Sequence, residues 1–226
     1  MGIRPQSVPL RPLSGPQRAW GRVVARIHHF HWVDESVARS GQAYFGHTGL
    51  LLDLYGLRSL LNLRGENSGA PWYEAEKAAC LARGLPLYSV ALSSRRLPHR
   101  AALLTLLQAL EQAPKPLLMK CSGGADRTGF AAGLHLVARH GRAGLPAARR
   151  QLARWPYLHL PKKQQKWLRP FFDFVEEGLG QGQGLHGTGE RTLAEWIAED
   201  YDPLALAAWL DARGLSGGWR PPARVA

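Results

Sequence analysis

Cys121 and Arg127 stand six positions apart in a glycine-containing segment, and this spacing is the chemically most informative feature of the sequence. An apolar run, residues 116–119, precedes the segment, and a helix-like run, residues 130–139, follows it. A curled loop between a strand and a helix points backbone N–H groups at one place, where the helix N-terminus adds partial positive charge. That field favours a nucleophilic thiolate, and the planar guanidinium of arginine can bind two phosphate oxygens. The segment therefore predicts an anion-binding loop in which sulfur attacks phosphorus.

The remaining residues of this loop are candidates for binding and assistance. Thr128 can donate a hydrogen bond to the sulfur and ease its departure, or can simply favour a helix start. The backbone that contacts a bound phosphate is expected to come from Ser122, Gly123, Gly124 and Ala125. Gly123, Gly124 and Gly129 allow close backbone approach, with a plain turn as the alternative. The structural alternatives for the two reactive residues are a buried core cysteine and an ion-paired arginine.

The pattern C-x5-R-[ST]-G, present as Cys121 to Arg127-Thr128-Gly129, resembles the signature loop of cysteine-dependent protein tyrosine and dual-specificity phosphatases. Aspartate just before the arginine is similar to the loop of bacterial dual-specificity-like phosphatases and of some phosphoinositide phosphatases. Three further blocks resemble bacterial and atypical dual-specificity phosphatases: residues 38–42 (ARSGQ), residues 61–66 (LNLRGE) and residues 72–74 (WYE). The resemblance implies hydrolysis of phosphomonoesters through a phosphocysteine intermediate, with Cys121 as nucleophile, Arg127 as phosphate clamp, and neither metal nor cofactor.

The general acid does not follow from the family pattern. Such phosphatases carry an aspartate on the loop after the preceding strand, but residues 92–98 contain no carboxylate. Asp126 is then the candidate that protonates the leaving oxygen, and an equally open alternative is that it orients loop amides or Arg127. Gln164 and Gln165 lie at about the spacing of a water-positioning glutamine in relatives.

Basic residues near the loop bear on the substrate. Arg95 and Arg96, with His99 and Arg100 behind them, are expected to flank the pocket and bind additional phosphates, unless they form a solvated basic loop. A net charge of +12, from 29 Lys+Arg against 17 Asp+Glu, also fits a phosphorylated partner: a protein, a phosphoinositide or an inositol phosphate. The same charge suits nucleic acid or an acidic membrane surface, and an arginine-rich composition alone also explains it. Removal of 5′ phosphates from RNA and non-catalytic phosphate binding therefore remain alternatives, with nucleic acid not favoured.

Strand-like and helix-like runs alternate along the chain. This predicts an α/β fold with a central, mostly parallel sheet flanked by helices, and a ligand site at the carboxyl ends of the strands. The expected organisation is an irregular basic lead (1–26), a phosphatase domain (27–179), a glycine-rich linker (180–188) and a helical C-terminal extension (189–226). Within the extension, residues 192–197 and 203–213 predict two short helices that expose Trp196 and Trp209.

The cysteine content and the hydropathy pattern indicate a compartment. Cys80 and Cys121 cannot build a disulfide framework, and a thiolate nucleophile needs a reducing milieu. Cys80 is expected to be a buried apolar residue, with a redox role as the alternative. No apolar run has transmembrane length and no secretory signal pattern is present, so the expected location is the cytoplasm. Three histidines in residues 28–31 lack a completing carboxylate or cysteine pattern, so no metal site is expected.

Overall fold

The computed structural model describes residues 11–180, 191–215 and 217–219. In these ranges five strands form one sheet in the order β1-β2-β5-β3-β4. The strands are β1 (His31–Trp32), β2 (Val37–Ser40), β3 (Ser59–Asn62), β4 (Leu87–Ser89) and β5 (Leu117–Lys120). β1 runs antiparallel to β2, and the other neighbouring pairs are parallel. The predicted fold class, a mostly parallel sheet with helices around it, is therefore confirmed.

The same ranges contain nine α-helices and two short 3₁₀ turns, at Gly141–Gly144 and Lys163–Gln165. The helices are α1 (Gly15–Ile27), α2 (His47–Leu54), α3 (Pro71–Leu81), α4 (Arg100–Gln112), α5 (Asp126–His140), α6 (Leu145–Arg150), α7 (Phe171–Gly180), α8 (Leu193–Glu199) and α9 (Pro203–Ala212). None of them is long and apolar enough to cross a lipid bilayer. α5 directly follows β5, so the loop between them carries the cysteine.

Helices pack on both faces of the sheet, as the alternating side chains of β5 show. Leu117 and Met119 of β5 pack into the large core that contains residues of α4 to α9. Leu118, between them, packs on the opposite face with Leu52 of α2 and Cys80 of α3. Successive side chains of a strand point to opposite faces, and both faces of the sheet are covered here. All four residues of β5 are therefore buried. This central, doubly covered strand gives the cysteine loop a rigid base.

The N-terminal region differs from its prediction, because residues 15–27 form a helix and not an irregular lead. Ser14 caps this helix: its hydroxyl accepts the Gln17 N–H at 3.4 Å, and the Gln17 side chain accepts the Ser14 N–H at 2.9 Å. Val24 and Ala25 are buried against α2 and its flanking residues. The helix is therefore part of the packed structure.

The C-terminal helices also differ from their prediction in one respect. Trp196 of α8 is buried in the large core, so its predicted exposure is wrong, whereas Trp209 of α9 is partly buried at the margin of that core. Arg100 does not reach the cysteine loop, since its guanidinium donates to the carbonyl of Tyr201 at 2.7 Å, at the end of α8. Of the predicted linker 180–188, Gly180 ends α7 and the other residues lie outside the described ranges.

Candidate active site

The cysteine loop, residues 121–125, lies at the carboxyl edge of the sheet between β2 and β3. Gly124 adopts φ +74°, and a Cβ there would lie 2.5 Å from the backbone nitrogen of Gly41, so the position requires glycine. The Gln42 N–H donates to the Ser122 carbonyl at 2.9 Å. The segment after β2 therefore clamps the loop from one side. Gly123, in contrast, has open space around it.

The Cys121 thiol lies at the floor of the loop. Its Sγ accepts the Gly124 N–H at 3.3 Å and lies 3.9 Å from the hydroxyl oxygen of Thr128. Arg39 Nη2 lies 3.5 Å from that same hydroxyl oxygen. Because guanidinium can only donate, the Thr128 hydroxyl is left free to donate its proton to sulfur. The sulfur therefore has a backbone N–H and a hydroxyl group as neighbours within the loop.

Arg39 is a site residue that the sequence did not reveal. Its guanidinium is fully buried, and Nη2 donates to the carbonyls of Gly124 at 2.8 Å and Ala125 at 2.9 Å. Nη1 donates to the backbone carbonyl of Gln151 at 2.8 Å and to its side chain at 2.9 Å. Burial lowers the pKa of Arg39 to about 10, so it is still charged at neutral pH. By bonding to the Gly124 and Ala125 carbonyls, Arg39 holds the backbone of the cysteine loop in place.

A cavity of about 400 Å³ opens above the thiol. Its walls come from the loop after β4, from the cysteine loop and from one glutamine, and they are formed by Leu92, Ser93, Ser94, Arg95, Cys121, Ser122, Gly123, Ala125, Asp126, Arg127 and Gln165. Arg127 Nη2 donates to the Ser122 hydroxyl at 2.8 Å, which turns the guanidinium across the mouth of the loop. Arg95 lines this cavity, whereas Arg96, which was also predicted to flank the pocket, does not.

Asp126 lines the cavity, and both of its oxygens are bonded by the segment after α6. His159 Nδ1 lies 3.0 Å from Oδ1, and Gln165 Nε2 donates to Oδ2 at 2.6 Å. The Gln165 side-chain oxygen accepts the Lys162 N–H at 2.8 Å, which identifies Nε2 as the atom that faces Asp126. Oδ2 is therefore an acceptor from Gln165, and Oδ1 faces the His159 ring.

A buried charged cluster lies beneath the loop. Lys120, directly before the cysteine, forms an ion pair of 2.6 Å with Glu76 and donates to the Gln42 side chain at 3.0 Å. Burial lowers the pKa of Lys120 to about 8, against the opposing effect of Glu76. The Arg64 guanidinium donates to the same Gln42 oxygen at 2.9 Å and stacks on the Trp72 ring at 3.6 Å. The ARSGQ, LNLRGE and WYE blocks thus meet in space.

Comparison with known proteins gives a family match and a shared fold. Residues 74–140 match the family described as the tyrosine phosphatase family. A search of curated proteins finds no matching sequence.

Solved structures with a similar fold include a DUF442 protein from Shewanella putrefaciens, which is 13% identical with a TM-score of 0.52, over 69% of this chain and 96% of that one. TpbA of P. aeruginosa is 16% identical with a TM-score of 0.50, over 69% of this chain and 93% of that one. A mutant form of Tk-PTP, with one glycine changed to alanine, is 19% identical with a TM-score of 0.50, over 68% of this chain and 97% of that one. At these identities the likeness shows a common fold.

Proposed function

On the premise that the chain resembles the cysteine-dependent tyrosine and dual-specificity phosphatases, as its sequence predicted, we propose that it hydrolyses phosphomonoesters through a phosphocysteine intermediate. One observation carries the proposal: the Cys121 sulfur, 3.3 Å from a loop amide, lies on the floor of a cavity that Arg127 also lines. A nucleophile, an oxyanion-binding loop and a phosphate clamp then act on one bound phosphate.

In the first step, the Cys121 thiolate attacks phosphorus and forms an S–P bond. The bond from phosphorus to the ester oxygen breaks, and its electron pair leaves with that oxygen. The proton that neutralises the oxygen comes from Asp126, whose Oδ1 lies 3.0 Å from His159 Nδ1. Loop N–H groups and Arg127 stabilise the charge on the three remaining oxygens.

In the second step, a water molecule attacks phosphorus and the S–P bond breaks, which returns the thiolate and releases inorganic phosphate. Asp126, now ionised, accepts a proton from the attacking water. The Thr128 hydroxyl donates to the departing sulfur, which lies 3.9 Å away. The Gln165 amide, which lines the cavity beside Asp126, is placed to orient the water.

Phosphate release from a series of aryl phosphates, with no added metal, tests this function. The Asp126→Asn variant is expected to slow phenyl phosphate about 10² to 10³-fold, because phenolate is a poor leaving group that needs the proton. A substrate with a good leaving group, such as dinitrophenyl phosphate, is expected to slow less than about tenfold. The plot of log kcat/KM against leaving-group pKa should therefore steepen.

Asp211→Asn, at an exposed aspartate of α9, is the matched control and should leave that plot unchanged. An equal loss across all leaving groups would show that Asp126 is not the acid. Tight binding of phosphate without any turnover of the wild-type protein would instead favour a phosphate-binding module.

The substrate class is proposed from the basic residue at the cavity wall. Arg95 is exposed and lines the cavity, so it can contact a second phosphate of an inositol phosphate or phosphoinositide. We expect Arg95→Gln to raise KM about two- to fivefold for an inositol bisphosphate, as befits an exposed charge pair. KM for para-nitrophenyl phosphate, which has a single phosphate, should stay unchanged.

Arg96→Gln is the matched control for this experiment, because Arg96 is adjacent in sequence and does not line the cavity. Equal effects of the Arg95 and Arg96 changes on both substrates would indicate a general electrostatic field. Preference for a phosphotyrosine peptide over the inositol phosphate would contradict the proposed class.

A further inference from the structure

Helix α1 presents an apolar stripe to solvent. Trp20, Val23 and Ile27 are spaced so that they share one side of the helix, and they are 51%, 45% and 60% exposed. The residues of α1 that are buried, Val24 among them, face α2 instead. The stripe therefore contributes nothing to the core of the described chain.

A second exposed apolar element stands at the start of α2. Phe45 is 93% exposed, and its neighbour Tyr44 is 45% exposed. Phe45 also adopts φ +57°, a left-handed conformation that is unfavourable for a bulky residue. An aromatic side chain that is held almost fully exposed on strained backbone indicates a contact with something outside the folded chain.

These two elements form one continuous surface. The Trp20 ring lies 5.9 Å from the ring of His47, and the Phe45 ring lies 6.2 Å from the same histidine. We call the set Trp20, Val23, Ile27, Tyr44 and Phe45 the aromatic ridge.

Arginines border the aromatic ridge along α1. Arg18, Arg22 and Arg26 are all exposed and follow one another at four-residue spacing, and α1 contains no acidic residue. Among the described residues, none of the three forms an ion pair with a carboxylate. A helix with arginines on one side and Trp and Ile on the other is typical of helices that lie in a membrane interface.

The aromatic ridge adjoins the candidate active site through the backbone that links them. The Gly41 N–H donates to the His28 carbonyl at the end of α1 at 2.7 Å, and the next residue, Gln42, donates to the Ser122 carbonyl of the cysteine loop. Residues 41–46 therefore run from the cysteine loop to the tip that carries Phe45.

We propose that the aromatic ridge and its three arginines bind the surface of an anionic phospholipid membrane. The arginines complement lipid phosphates, and Trp20 and Phe45 insert among the acyl chains near the headgroups. The ridge consists of an exposed helix side and a projecting loop tip, which suits a deformable lipid surface better than the fixed pocket of a protein partner. The inference does not depend on turnover, because it concerns adsorption of the folded protein.

Flotation of the full chain with vesicles tests this proposal. Vesicles of phosphatidylcholine with about 30% phosphatidylserine should bind the protein, whereas pure phosphatidylcholine should bind it at least about tenfold less. Arg22→Gln combined with Arg26→Gln should weaken binding about 25-fold, at about fivefold per arginine. Trp20→Ser combined with Phe45→Ser should weaken it at least about tenfold.

Trp155→Ser is the matched control, since Trp155 is 73% exposed and lies outside the aromatic ridge. It should bind vesicles as the wild type does, and circular dichroism should show that all variants are folded. Absence of binding to the anionic vesicles would overturn the proposal, and so would binding that the ridge variants leave unchanged. Self-association that depends on Trp20 and Phe45, without vesicle binding, would identify a protein contact instead.

Discussion

Cys121→Ser is expected to lower turnover of an aryl phosphate by about 10⁴-fold or more, while inorganic phosphate still binds. Serine retains the size of the side chain and the Gly124 N–H contact, but its hydroxyl is not ionised near neutral pH. The loop amides and Arg127 still supply the phosphate site, so the variant should keep its affinity for phosphate and lose turnover. Calorimetric titration with phosphate measures the first, and phosphate release measures the second.

When the reaction with an aryl phosphate labelled in its phosphoryl group is quenched during turnover, the wild-type protein should carry the labelled group on Cys121. The serine variant should carry none at this position. Cys80→Ser is the matched control. Cys80 is buried in α3, and burial raises the pKa of its thiol to about 12, so it supplies no thiolate. Undiminished turnover of Cys121→Ser, or label on Cys80, would rule out Cys121 as the covalent nucleophile.

The second large effect is expected at Arg39. Arg39→Met removes the donors from the carbonyls of Gly124 and Gln151, which are then left unpaired beneath the loop, whereas the Ala125 carbonyl still accepts the Gly129 N–H at 3.0 Å. Each unsatisfied buried group costs about 1 to 3 kcal/mol, so for these two carbonyls the free energy of unfolding should fall by about 2 to 6 kcal/mol. Loss of the contacts that hold the backbone of the cysteine loop should lower kcat/KM about 10²-fold or more.

Urea denaturation and aryl phosphate kinetics below the unfolding transition check these two effects. Arg83→Met is the matched control, because Arg83 pairs with Asp53 at 2.6 Å between α2 and α3, away from the loop. It should lose stability and retain kcat/KM. Arg39→Lys should restore only part of the activity, since one ammonium cannot replace two guanidinium nitrogens. Full activity of a folded Arg39→Met would refute the supporting role.

Elements with a strong local pattern could be predicted from the sequence. The apolar run 116–119 predicted a strand before the cysteine loop, and β5 spans Leu117–Lys120. Residues 162–179 have a helix-like sequence, but they form a 3₁₀ turn and most of α7, with Pro170 directly before α7. The proline ring disfavours helical backbone at the preceding residue, so one continuous helix could not form there.

Short or weakly patterned elements were missed. β1 has two residues, too few for any periodicity to be visible. The sequence predicts an irregular lead where α1 forms, since Pro16 and the arginines of this segment obscure a capping box formed by Ser14 and Gln17. Trp196 was expected to be exposed because a seven-residue helix gives little evidence about which side packs against the core.

The residues of the candidate site also differ in how well the sequence predicts them. Residues 121–128 are contiguous, so their spacing in the sequence predicted that they would meet. Arg39 reaches the carbonyl of Gln151 across 112 positions, and His159 reaches Asp126 across 33. Such contacts depend on the order of the strands and on where α6 ends, which no local pattern encodes. The ARSGQ block was the one signal that pointed to Arg39.

The attachment of α8 has a consequence for the order in which the pocket is completed during protein synthesis. The Tyr201 hydroxyl donates to the Pro98 carbonyl at 2.7 Å, 103 positions earlier, and Arg100 donates to the carbonyls at the end of α8. Residues 92–95, which wall the cavity, lie just before this attachment. During synthesis on the ribosome, the cysteine loop therefore emerges well before the helix that steadies its wall. The finished pocket is a late product of translation.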